Sequence, residues 1–283
     1  MISINMWTDK KGSNPGGKCK LAYQNKWEDF YIKYCTGSKL PRGHPFHPTV
    51  QPIYEALTLI LAEGMGIEVP KYYVLFNEGV EFEYSEFNPK NKLDVNKPMY
   101  FLSKLVELPP HRDPVACASK MKEEIIYQKL LMIADLSNKK QNYAYFPDHV
   151  PPHILYIDVG CNFVDAISGY LSQRNEVSDL LRNRRGSYLP SVKKDLKNAK
   201  KWLKRAHILT NHKHSNQKEL LCLEDFIGAI PDYEIPKFPY GHIKMSQVLR
   251  EDELEEIMSL LRLNMASIGR KFLKKGDGRL FFE

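Results

Sequence analysis

Four polar residues, far apart in the chain, have side chains whose types and surroundings suit chemistry on a charged substrate. Lys33 lies in FYIKYC, Glu55 in QPIYEALTLIL, Asn142 in KKQNYAYF and Asp158 in LYIDVGCNF. An ammonium set among apolar strand residues needs a counter-charge, because an isolated buried charge either costs much free energy or neutralises. Glu55, on a helical pattern, is the candidate partner for Lys33. Asn142 and Asp158 offer oxygen ligands of the kind taken by a hard cation that keeps several of its waters. Each also has a plainer explanation: Lys33 snorkelling to solvent at a sheet edge, and Asp158 opening a turn after a strand.

A glycine-rich run precedes them. GSNPGGKC contains Gly12, Ser13, Gly16, Gly17 and Lys18, with the spacing of a phosphate-binding loop in which two glycines four residues apart precede lysine. In a P-loop NTPase a Ser or Thr follows that lysine to hold magnesium, and a helix begins there. Here Cys19 follows, and the next residues read as a strand. The alternatives are a glycine-rich turn between two strands that lays backbone N–H groups over phosphates, or a plain surface hairpin turn.

These residues must be positioned by elements that the patterning outlines. Lys18–Gln24 and Asp29–Cys35 read as the strands of a hairpin turning near Asn25–Glu28. A helix follows over Ile53–Gly64, then strands at Tyr72–Phe76 and Val80–Phe87. The polar stretch Asn88–Pro98 reads as a linker into a mainly helical half. There the patterning predicts helices near Ser119–Ala134, Glu176–Arg184, Ser191–Leu209 and Glu251–Lys274, and short strands at Asn142–Phe146 and Ile154–Ile157. The fold class expected is α+β, with a sheet-rich lobe over 1–98 and a helical lobe over 99–283.

The segments KKGSNPGGKCKLAY, FYIKY, IYEALTLILAEGMGIEVPKYYVL, YSEF and LLMIADLSNKKQNYAY with ILYIDVGCNF resemble, in order and layout, the HipA-like Ser/Thr protein kinases, and within them the CtkA-type bacterial kinases. The resemblance covers residues 10 to about 163. It implies a two-lobed kinase-like fold, ATP and Mg2+ as cofactors, and a protein phosphoacceptor. By resemblance the glycine run and Lys33 meet the phosphates, Glu55 pairs with Lys33, and Tyr84–Phe87, with Glu86 and Phe87, form the hinge beside adenine. Asn142 and Asp158 would hold Mg2+.

The family's catalytic loop carries an Asp five residues before the Asn, and in this chain that position is Ser137. A serine hydroxyl is no general base at neutral pH, and losing a positioned base lowers rates by about a hundred- to ten-thousand-fold. Asp135 stands two residues away and would substitute in a distorted loop, while Lys139 and Lys140 are placed to meet phosphate charge. Three functions follow: a HipA-like phosphotransferase, a pseudokinase using nucleotide as a regulatory or interaction module, or a basic nucleic-acid-associated protein whose glycine run is incidental. Toxin-like roles belong to the first.

Composition bounds these readings. The 283 residues are 43% hydrophobic and 27% charged, an ordinary globular balance. The net charge of +7 is uneven, since 182–218 holds twelve Lys or Arg against the single Asp195. Val192, Leu196, Ala199, Leu203 and Ala206 form one apolar stripe of a helix over 191–209, with lysines around the remainder. That helix is either a packed element with a solvated basic face or a contact for a polyanion or acidic protein. His212 and His214 lack nearby cysteine or carboxylate and read as a polar loop. Leu254, Ile257, Leu261, Met265, Ile268 and Phe272 read as the core face of the last helix. Five scattered cysteines fit reduced thiols in a cytoplasmic protein, and neither an export leader nor a membrane-spanning run is expected.

Overall fold

The structure is a computed structural model that describes residues 2–6, 16–34, 50–64, 67–84, 96–107, 142–148, 153–159, 207–209, 220–222, 227–259 and 261–262. The expected helices near 119–134 and 176–184 lie outside these residues. Among the described residues, no helix is long and apolar enough to cross a membrane.

The first half builds a six-stranded sheet from β1 (Ile2–Met6), β2 (Gly16–Tyr23), β3 (Lys26–Lys33), β4 (Tyr72–Phe76), β5 (Val80–Tyr84) and β6 (Met99–Lys104), in the order β4-β6-β3-β2-β1-β5. β1 runs parallel to β5 and the other neighbours are antiparallel. In β1, Ile2, Ile4 and Met6 alternate with Ser3 and Asn5, the period of a strand with one face in the core. The β2–β3 hairpin turns on Gln24 and Asn25, both with positive φ, which matches the twist of a two-residue hairpin. It is tighter than the turn near Asn25–Glu28 expected from the sequence, and Tyr23 faces Lys26 across it.

One face of this sheet closes on itself. Ile4, Leu21, Phe30, Ile32, Tyr100 and Leu102 share a core with Phe82 at its margin. Phe82 on β5 and Tyr100 on β6 meet with ring centroids 5.3 Å apart, although three strands separate theirs in the sheet. A flat sheet would hold those strands about 19 Å apart, so the sheet is strongly curled. The opposite face, at β4 and β6, receives α1 (Gln51–Gly64), which is buried around most of its circumference. Pro52 stands in its first turn, where a missing N–H costs nothing, and glycine is its last residue.

β6 enters the sheet between β4 and β3, so the sheet runs past the boundary expected at 98. Its first five residues are buried, leaving no two-residue alternation to mark a strand. A separate hairpin of β7 (Tyr143–Phe146) and β8 (His153–Tyr156) follows, then β9 (His207–Leu209) paired with β10 (Leu220–Cys222). β9 corrects the helix expected over 191–209. The apolar stripe that suggested it ends at Ala206, and the next three residues are extended; the rest of that segment lies outside the described residues.

The chain then returns to the sheet. β11 (Glu234–Pro236) and β12 (His242–Lys244) form a short hairpin leading into α2 (Met245–Val248) and α3, helical over 251–259. The Phe238 N–H donates to the Val74 carbonyl at 3.0 Å, and its ring packs edge-on against Phe30 and Tyr73. Leu254, Ile257 and Leu261 are buried, as their spacing implies. Part of the expected helical lobe is thus fastened to the sheet-rich half.

Candidate functional site

Lys33 is the last residue of β3, and Gly16 sits directly opposite it in β2. An added Cβ at Gly16 would collide with the Ile32 carbonyl oxygen and come within 2.9 Å of the Lys33 Cβ. Glycine is therefore required there by close approach rather than by turn conformation. Gly17 lies opposite Ile32 and Lys18 opposite Tyr31, so all three residues belong to the strand, not to the loop before it. Gly12 and Ser13 lie outside the described residues.

The Lys33 side chain is buried, and its Nζ lies 2.5 Å from Glu55 Oε1 and 2.7 Å from Asp158 Oδ1. Glu55 is brought in by α1 as that helix crosses β6, and it is buried as well. The Phe101 ring, opposite Lys33 in register, stands 5.4 Å from the ammonium, within range of a cation–π contact. Burial works against a charged lysine here. The charges and hydrogen bonds of Asp158 and Glu55 outweigh it and hold the ammonium above its ordinary range.

Asp158 arrives on the segment after β8. The β7–β8 hairpin is docked on the segment after α1 by a 2.7 Å contact of His153 Nε2 with Glu68 Oε2 and by Tyr156 N–H donating to the Glu68 carbonyl at 3.2 Å. At the open end of this hairpin the Asn142 carbonyl accepts from both Ile157 N–H and Asp158 N–H, at 2.9 and 3.1 Å. Asn142 and Asp158 are thereby fixed side by side although sixteen positions separate them. Their accessibilities differ: Asn142 is buried, whereas the Asp158 side chain is 46% exposed.

The oxygens of the kind a hard cation takes are the Asp158 carboxylate, open to solvent, and the Asn142 amide oxygen; the Asn142 Nδ2, a donor that ligates no cation, is buried without a hydrogen-bond partner among the described residues. Among those residues no group of three or more His, Cys, Asp or Glu is assembled for a metal. Two protein oxygens, with phosphate and water completing the shell, is how Mg2+ is commonly bound, whereas a structural zinc site needs more protein ligands.

Tyr84 pairs with Met6 at the outer edge of the sheet, three strands from β3, while Glu86 and Phe87 lie outside the described residues. The lysine strand is flanked by β2 and β6, and β6 continues as Leu105–Glu107, where Leu105 N–H bonds the Asp29 carbonyl. β6 itself carries no strand periodicity, because its first five residues are all buried. Ser137, Asp135, Lys139 and Lys140 lie outside the described residues, as do His212 and His214.

Two features of the site escaped the sequence. Phe101 beneath the ammonium was hidden in the stretch after Pro98. The direct Lys33–Asp158 contact joins residues 125 positions apart, and only the docking of the hairpin on Glu68 produces it. No protein-family model, curated protein or solved structure matches the chain.

Proposed function

We propose that this protein binds a magnesium–nucleoside triphosphate beside Lys33 and Asp158 and uses it for phosphotransfer in a two-lobed, kinase-like arrangement. The observation that carries this reading is a buried lysine held between a buried helix glutamate and a half-exposed aspartate that neighbours an asparagine. A charged lysine so restrained is a preorganised partner for phosphate oxygens. Asn142 and Asp158 would hold Mg2+, which neutralises phosphate charge when bound. Glu55 would keep Lys33 extended toward the phosphates, and Gly16 lets β2 lie close against the Cα and Cβ of Lys33. The base would be read near Leu105–Glu107 rather than near Tyr84–Phe87. The phosphoryl acceptor in this reading is a protein hydroxyl.

Titration calorimetry with Mg–ATP tests it. Wild type should bind saturably, and Asp158→Asn, which keeps the shape and removes the charge, should weaken binding about ten- to a hundredfold. Absence of saturable binding in wild type, or equal affinity in both proteins, would sink the reading. Ser137 favours a second possibility, nucleotide binding without turnover. Under that reading wild type binds Mg–ATP and transfers no phosphate, and Ser137→Asp gains transfer; an active wild type excludes it.

A further inference from the structure

The buried Tyr54 hydroxyl donates to Glu253 Oε1 at 2.6 Å, across 199 positions of sequence. Tyr54 immediately precedes Glu55 on α1, and Glu253 lies in the first turn of α3. The other oxygen of Glu253 accepts from the Arg250 backbone N–H at 3.0 Å, and the Arg250 guanidinium stands 3.8 Å away. The carboxylate is therefore oriented by its own helix before it meets Tyr54.

Most of what holds α1 is apolar and therefore non-directional: Ile53, Leu57, Leu59 and Leu61 are satisfied over a range of helix rotations. A tyrosine hydroxyl on a buried carboxylate is directional and short-ranged. Successive helix residues project about 100° apart, so fixing the azimuth of Tyr54 fixes that of Glu55. Rotation of α1 by a fraction of a turn would carry Glu55 away from Lys33. Leaving Glu253 buried without the hydroxyl is itself unfavourable, which opposes such rotation.

We propose that Tyr54 and Glu253 are positioning residues through which the C-terminal segment 250–259 holds Glu55 on Lys33. The importance of that hold for nucleotide use rests on the function proposed above, but the mechanical link does not. Its test needs no nucleotide: Lys33 labelling by an amine-reactive reagent, read by peptide mass spectrometry against the other lysines. Tyr54→Phe and Glu253→Ala should each raise Lys33 labelling about tenfold, the scale of one buried hydrogen bond, with other lysines unchanged. Glu253→Gln, which retains an acceptor, should label as wild type does. Ile257→Ala serves as a packing control that lowers stability without touching the link. Unchanged Lys33 labelling in Tyr54→Phe overturns the proposal, as does an equal rise in Ile257→Ala. Failure of wild type to bind Mg–ATP would remove the function proposed above and leave the labelling result standing.

Discussion

Lys33 makes its two ion pairs under unequal conditions, and the inequality decides what each substitution does. Glu55 is as buried as the lysine, so removing the ammonium strands a carboxylate in the interior; Asp158 reaches solvent and would rehydrate. Lys33→Met should therefore destabilise the fold by about 3–5 kcal/mol, the range for breaking a buried ion pair from one side. Lys33→Met combined with Glu55→Leu should recover much of that loss, because no buried charge remains. Urea denaturation of the single and double variants measures the coupling. Additive losses in the double variant would mean that Glu55 is not the residue left unpaired. Lys33→Ala is for the same reason a poor probe of nucleotide binding, and Asp158→Asn is the cleaner one.

Among the elements, the β2–β3 hairpin sets the geometry beneath the ammonium. Gly16 is closed in by the Ile32 carbonyl and the Lys33 Cβ, whereas a Cβ added at Gly228 would enter open space. Gly16→Ala should cost about 1–3 kcal/mol by forcing the strands apart, while Gly228→Ala should be close to neutral. Thermal melts of the two variants make the comparison; equal effects would show that the strands yield at Gly16. The glycine run was legible in the sequence, but its role was not. Spacing alone pointed to a loop over phosphates, and pairing shows that Gly16 and Gly17 serve the strand itself. β6 shows the complementary failure. A strand buried on both faces has no two-residue period, so no strand was read at 99–104 from the sequence.

For the molecule as a whole, several buried groups hold their protons more tightly than they would in the unfolded chain. Burial raises the Cys19 thiol well above its ordinary value of 9.0, helped by the charge of Asp29. Burial and then Glu63 raise the Tyr72 phenol, and burial alone pushes Tyr233 up to about 12. Lys33 is raised by its two carboxylates against the opposing effect of burial. In each case the folded state binds more protons than the unfolded state once pH passes the ordinary value, so stability falls as pH rises. The melting temperature should hold near pH 8 and drop steadily above about pH 9, where the unfolded thiol and then the phenols and lysine begin to ionise. Cys19→Ala should move the onset to higher pH. A flat profile to pH 11 would show that these groups are not buried in solution as they are here.

The sequence by itself determined the local parts: the hairpin strands β2 and β3, the apolar run of α1 ended by glycine, the strand at Tyr72–Phe76, and the polar types at 33, 55, 142 and 158, whereas β1 was not read from it. These follow from periodicity and from the cost of burying charge, both of which act over a few residues. Which residues meet was decided only by tertiary structure. A helix apolar on nearly every side gives no sign of what covers each face, so neither α3 and Glu253 nor the sheet was assigned to one face of α1. The Lys33–Asp158 contact depends on the His153–Glu68 and Asn142 bonds that dock a separate hairpin, and the position of β6 depends on pairing between β3 and β4. Such contacts join residues remote in sequence, and their free energy exists only after the intervening chain has been ordered, so no local pattern records them.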